Sequence, residues 1–300
     1  MDVTLLFMIT SLISLGIKVF SKLSSNIVAG GTKTKYMMYF TVNGVVACIF
    51  FLISGGFKLS FNGATLLYSV AYAAIVTLSL ISNAIIYKLA SISDVNIIVS
   101  SSGLIGSAVI GMLAFGERLP WDRILKICIM LAAAVLIFVE KKKKQSGEEE
   151  KRENKPFLRI AVIATFVFVA LSNTFIIKSF SMSERVTDSN SFFFLTNLIL
   201  VIGSALILAY QAFKSPKEFR DSVALLEPRT LCSLAGKTVL SNVEALISVL
   251  ILAEIPLSLY SPISSALGVL ISLVASLIFR EKLSIYSYAA VALAVVSVII

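Results

Sequence analysis

The sequence predicts an all-α integral membrane protein of ten transmembrane helices, arranged as two five-helix repeats of opposite orientation. Three observations predict it. Hydrophobic residues make up 58% of the 300-residue chain and charged residues only 14%, with a mean hydropathy of +0.95, whereas an ordinary soluble domain carries about 25% charged residues. The apolar text falls into ten windows near the roughly 20 residues that a helix needs to cross hydrocarbon. Short matches then recur in the same order in the two halves of the chain.

The windows of the first half, residues 1–139, are 3–20, 36–53, 66–87, 95–115 and 119–139; those of the second half, residues 156–300, are 156–177, 190–210, 230–253, 255–279 and 283–300. Between the halves, residues 140–155 contain KKKKQSGEEEKRENK. Blocks of like charge without apolar residues cannot form a core, so this segment is read as a solvated linker. The other connectors are mostly short and leave no room for a folded soluble domain. Pro120, Pro156, Pro228 and Pro256 lie near proposed helix starts, where a missing N–H costs little. Pro262 lies inside a window and is expected to kink or break it. Trp121, the single tryptophan, stands at a span entrance, where an amphipathic ring suits the interface.

Composition also removes whole classes of function. The net charge of +9 comes from basic connectors and not from a basic stripe on a polar domain, which argues against nucleic acid and for contact with an anionic lipid leaflet. Histidine is absent, excluding His-based metal clusters, Ser-His-Asp triads and His proton relays. Cys48, Cys128 and Cys232 all fall in apolar stretches without framework spacing, so they are expected to be small buried side chains and not disulfides or zinc ligands. No cofactor or metal is expected. Asp2 precedes the first apolar run and no basic n-region is present, so that run reads as a membrane span and not a cleaved signal.

Lysine and arginine alternate between the two faces. The connectors after spans one, three, five, seven and nine hold 18 of the 26, while the opposite face holds five: Lys58, Arg118, Arg123, Lys126 and Arg185. Basic connectors resist translocation, so this distribution predicts a cytoplasmic linker and external termini.

The halves match through four spans. IKVFS at 17–21 answers IKSFS at 177–181; YFTVN at 39–43 answers FFLTN at 193–197. Leu89, Ala90 and Ile92 answer Leu252, Ala253 and Ile255, and AFGERL at 114–119 answers IFREKL at 278–283, all at offsets between 154 and 164 residues. Five spans per half force the halves to cross in opposite directions. Such inverted repeats are the pattern of alternating-access transporters, because exchanging the conformations of two equivalent halves moves a site from one side to the other.

The two five-helix halves, with GERL at 116–119 and REKL at 280–283 closing the fourth span of each, resemble the EamA-like family of the drug/metabolite transporter superfamily. The resemblance covers essentially the whole chain; its second signature departs by placing Arg280 where glycine would stand. It implies a multi-pass protein of the cell membrane that moves a small organic metabolite or drug. The family is usually drawn with both termini cytoplasmic, opposite to the charge distribution. Related small multidrug exporters carry a carboxylate in the first span. Here the first and sixth spans have none, which argues against a simple proton-coupled organic-cation mechanism.

The eighth span holds the best site candidates. Ser233, Lys237, Ser241, Glu244 and Ser248 are spaced by four, four, three and four, hence share one helix face. Ionisable groups at membrane depth face a cavity or one another. The expected roles are a proton or cation on Glu244 and a substrate carboxylate or phosphate on Lys237, against a competing role as a staple between helices. Tyr72 and Asn83 form, with Tyr68, Ser79 and Tyr87, a polar-aromatic stripe on the third span that suits an organic solute. Asn43 and Asn197 align across the halves and bond either solute or another helix, the latter favoured. Lys18 and Lys178 end their spans and are expected to snorkel to headgroups. Gly103, Ser107 and Gly111, and Ser264, Gly268, Ser272 and Ser276, are small-residue stripes for close helix packing. Glu117 and Glu281 are expected to anchor turns.

These features favour a secondary transporter of a small organic solute, working with the bilayer and with a proton, ion or counter-substrate. No nucleotide-binding motif is present to couple ATP. A membrane-embedded enzyme acting on lipid would need clustered carboxylates or metal ligands at depth, and Glu244 stands almost alone, so no catalytic residue is assigned. A non-transporting scaffold would need an extramembrane interaction surface that the short connectors do not offer.

Overall fold

A backbone in hydrocarbon must satisfy its own N–H and C=O groups, and long apolar segments therefore fold as helices. The computed structural model describes residues 2–23, 33–89, 92–145, 156–183, 188–224, 228–278 and 285–299. Among the described residues there are eleven α-helices and no strand: α1 (Val3–Leu23), α2 (Lys33–Ser54), α3 (Gly63–Leu89), α4 (Ile92–Phe115), α5 (Trp121–Gln145), α6 (Pro156–Ser181), α7 (Ser189–Lys214), α8 (Pro216–Ala224), α9 (Pro228–Glu254), α10 (Leu257–Ile278) and α11 (Ile285–Ile299). Ten of them overlie the predicted windows. The eleventh, α8, is a nine-residue helix in the connector between the seventh and eighth windows.

Among the described residues four stretches are long and apolar enough to cross a membrane: Val3–Phe20, Met37–Ser54, Ser189–Lys214 and Leu231–Glu254. Shorter apolar stretches lie at Gly63–Ser79, Leu104–Phe115, Val167–Ser181, Leu257–Ile271 and Tyr288–Ser297. Leu12, Leu67, Leu113 and Phe213 are exposed on helix surfaces, as side chains facing lipid would be. Cys128 and Cys232 are also exposed and not buried as expected, while Cys48 is half-buried. Apolar character alone does not separate lipid-facing from bundle-facing positions, since hydrocarbon is as apolar as leucine.

Local chemistry sets the helix ends. Pro156, Pro216 and Pro228 each open a helix. The Asp188 carboxylate caps α7, accepting from the N–H groups of Asn190 and Ser191, both at 3.0 Å. Gly56 (φ 61°) closes α2, with its N–H donating to the Ile53 carbonyl at 2.9 Å and that of Phe57 to Leu52 at 2.9 Å. Of the kink or break expected at Pro262, the break is not made, because α10 continues through it. Pro262 is the sixth residue of the helix and costs one backbone bond, to the Ser258 carbonyl, in a turn held by outside groups. Helix α5 runs through Lys141–Lys144 to Gln145, so the charged segment begins as helix; residues 146–155 lie outside the described set.

By packing, the chain divides into two compact units, each drawing helices from both sides of the charged segment. The first comprises Met1–Phe7, Ile75–Met182 and Ile251–Ile300. Within it α5 packs on α11, and α4 packs on α5, α6 and α10. Leu104, Met130, Ala266 and Ala294 form its core, the two alanines allowing close helix approach. A Cβ at Gly106 would stand 2.1 Å from Leu171 Cδ2, so this glycine, outside the predicted stripe, makes the α4–α6 contact. A Cβ at Gly268, inside its stripe, would meet no described atom within 4 Å. The Ser272 and Ser276 side chains lie outside the described set.

The second unit comprises Met8–Ala74 and Ser183–Leu250. Its principal contact is α2 on α7, with α8 against both. A Cβ at Gly44 would meet Val201 Cγ2 at 2.5 Å, and the Thr41 and Ser204 hydroxyls lie 2.8 Å apart. Helix α1 runs antiparallel to α9: Ser14 meets Glu244, Gly16 meets Leu240 and Phe20 meets Gly236.

Candidate functional site

Where α1 and α9 meet, side-chain ends of one helix lie over a glycine of the other. An added Cβ at Gly16 would lie 2.8 Å from Leu240 Cδ1, and one at Gly236 would lie 3.0 Å from the Phe20 ring. At this closeness the Ser14 hydroxyl of α1 donates to Glu244 Oε1 of α9. Lys18, one turn beyond Ser14, lies within electrostatic reach of the same carboxylate. Glu244 therefore pairs with α1, and not with Lys237 two turns along its own helix.

Lys237 turns to α2. Its ammonium donates to the Tyr39 hydroxyl at 3.1 Å and stands 5.8 Å from that ring's centroid. The next residue, Thr238, bonds the Asn43 side-chain amide and, at 2.9 Å, the Leu234 carbonyl. Tyr39 and Asn43 are one turn apart on α2, so the α9 pair Lys237 and Thr238 meets a matching polar pair. Ser241 lies half-buried on α9 between Lys237 and Glu244. Asn242, a turn beyond Thr238, has a buried amide nitrogen with no hydrogen-bond partner among the described residues.

Of the residues expected from the sequence, Lys237 and Asn43 lie where α9 meets α2, Glu244 turns to α1, and Ser241 lies between Lys237 and Glu244 on α9. Asn197 does not join them: its amide donates to the Phe193 carbonyl of its own helix at 2.8 Å. Tyr72 belongs to an aromatic cluster of the same unit, 5.4 Å from Phe192 and 6.2 Å from Phe193, with Phe193 stacked on Phe51 at 5.2 Å. The side chain of Asn83 lies outside the described residues. Ser14, Tyr39, Thr238 and Asn242 are additions; the i, i+4 spacing of Ser14 with Lys18 and of Tyr39 with Asn43 was the available signal.

Lys178 does not snorkel as expected. Lys178 is buried, donating to the carbonyls of Leu252 and, at 2.8 Å, Ile255, and so caps the C-terminal turn of α9. Matching IKVFS and IKSFS text does not give matching surroundings. Glu117 anchors a helix end: its carboxylate accepts from the N–H groups of Leu257 (2.6 Å) and Ser258 (3.0 Å) and from the Ser258 hydroxyl (2.8 Å). Arg123 donates to the same hydroxyl oxygen at 2.9 Å and to the Arg118 carbonyl at 3.0 Å. Gly116, at φ 63°, makes the turn that presents Glu117. Glu281 lies outside the described residues.

Among the described residues no group of three or more Cys, Asp or Glu side chains is placed to hold a metal ion. What the site offers is two ammonium groups, one carboxylate, a phenol, hydroxyls and amides on apolar helices.

No family model matches the chain, and no curated protein matches it. Solved structures share its fold: 26 chains match. One of them, described only as "Crystal structure of protein", superposes with a TM-score of 0.67 at 15% identity, over 98% of this chain and 94% of that one.

Proposed function

We propose that the chain is a secondary active transporter, a multi-pass protein of the cell membrane that moves a small organic metabolite or drug by alternating access between two inverted five-helix repeats. It is not read as an enzyme. The observation that carries this reading is the polar constellation of Ser14, Lys18, Tyr39, Asn43, Lys237, Thr238 and Glu244 on three predominantly apolar helices. Charged groups at membrane depth are costly and mark solute or ion pathways.

Packing supports the repeat. With α8 set aside as a connector, helices equivalent in the two halves are α2 and α7, α4 and α10, and α5 and α11. Each of these pairs is in contact, as helices beside a two-fold axis are. The resemblance to the EamA-like drug/metabolite transporters fits the same arrangement.

In this reading Glu244 carries the coupling proton or ion and Lys237 faces the solute. Uptake or counterflow in proteoliposomes against a panel of metabolites, comparing the natural protein with Lys237→Ala and Glu244→Gln, tests it. Loss of transport in either variant is expected. Normal transport by both would remove the constellation from the pathway.

A further inference from the structure

The charges of the constellation do not balance. Glu244 is engaged by the Ser14 hydroxyl and faces the Lys18 ammonium. Lys237 and Glu244 are seven residues apart, about 10 Å along the helix at 1.5 Å per residue, and among the described residues Lys237 has only neutral company, the Tyr39 hydroxyl and ring. Two ammonium groups thus stand against one carboxylate in half-buried positions on apolar helices. A cation left uncompensated there is costly.

The hydrogen-bond inventory of this corner points the same way. An ammonium has three N–H donors and no acceptor, and one donor is used on Tyr39. The Tyr39 oxygen accepts that bond, leaving its own O–H proton to donate. Lys237 and Tyr39 therefore present adjacent donors to a common acceptor. Charge-assisted donors of this kind are matched by an oxyanion. A neutral solute would leave the charge uncompensated, and a cationic one would add to it.

We infer that the Lys237 ammonium and the Tyr39 hydroxyl form the recognition point for the carboxylate or phosphate group of an organic anion. The inference rests on the transport reading and names the substrate class within it. The solute's oxyanion completes the charge of the site, while Glu244, already engaged by α1, stays available for a different task.

The test uses the full chain in detergent with radiolabelled benzoate and phenyl phosphate as oxyanion probes, and benzamide and benzylamine as their neutral and cationic counterparts. Saturable binding of at least one oxyanion is expected, with the carboxylate and phosphate arms showing which group is preferred. Lys237→Gln and Tyr39→Phe are each expected to weaken it about tenfold or more, the range for a lost hydrogen bond to a charged group. Lys237→Arg is expected to retain it, and if Lys237→Gln does not fold, Lys237→Arg and Tyr39→Phe carry the comparison. Absence of oxyanion binding, unchanged binding in Lys237→Gln or Tyr39→Phe, or equal binding of benzamide or benzylamine overturns the inference. Uptake by proteoliposomes separates the two readings. An oxyanion that binds but is never transported ends the transport reading and leaves the recognition point, whereas uptake of neutral solutes indifferent to Lys237 does the reverse.

Discussion

The Ser14 hydroxyl donates to the Glu244 carboxylate across 230 positions of sequence, joining α1 to α9. Hydrogen bonds between transmembrane helices contribute about 0.6 kcal/mol on average and up to about 1.7. Ser14→Ala is expected to lower stability within that range, read as a lower unfolding temperature in detergent. Glu244→Gln keeps an acceptor for Ser14 and removes the charge. It should therefore fold nearly as well as the natural protein while losing gradient-driven uptake, and a variant that lost stability and kept uptake would reverse this assignment.

Glu117 makes three bonds to the start of α10, two of them to backbone N–H groups at 2.6 and 3.0 Å. Its negative charge also complements the positive end of the helix. Glu117→Ala is expected to destabilise the first unit by about 1–3 kcal/mol, with Glu117→Gln intermediate because the amide still accepts. Thermal unfolding of the three proteins gives the order directly.

Gly44 sits where α2 and α7 meet, with Val201 Cγ2 only 2.5 Å from the position a Cβ would take. A valine in a helix is nearly fixed in one rotamer, so it cannot swing aside. Gly44→Ala should cost about 1–3 kcal/mol as overpacking, and adding Val201→Ala should recover much of it. A double-mutant cycle showing no coupling would mean that this contact does not set the helix spacing.

Lys178 is buried among carbonyls at the end of α9. Lys178→Met keeps the stem and removes the donors, and is expected to destabilise by about 1–3 kcal/mol. At position 18 the same change should affect uptake more than stability, because Lys18 faces Glu244. Parallel unfolding and uptake measurements on the two methionine variants distinguish the roles.

The contrast between Lys18 and Lys178 shows where sequence reading succeeds and where it stops. Apolar windows located ten helices because hydrocarbon demands them, and the rarity of charge at depth singled out Lys237 and Glu244. The stripe spacing could not say that Glu244 would turn to α1 and Lys237 to α2. Serines, threonines and tyrosines such as Ser14, Thr238 and Tyr39 are too common in such helices to stand out until a partner from a distant segment meets them. The lysines of IKVFS and IKSFS share their local text and differ in every neighbour that matters, which is a property of packing. Helix α8 escaped for a different reason: nine residues behind Pro216, with Phe219 and Val223 on a common face, are too short for periodicity to stand out in a connector.

Gly116 and Glu117, just past the end of α4, spend their chemistry joining the tail of α4 to the head of α10. These two residues thus describe how the scaffold is welded, and nothing in their bonds depends on what the protein handles. A chain can keep such a weld while its polar corner at Tyr39 and Lys237 changes, so likeness in the one carries no statement about the other.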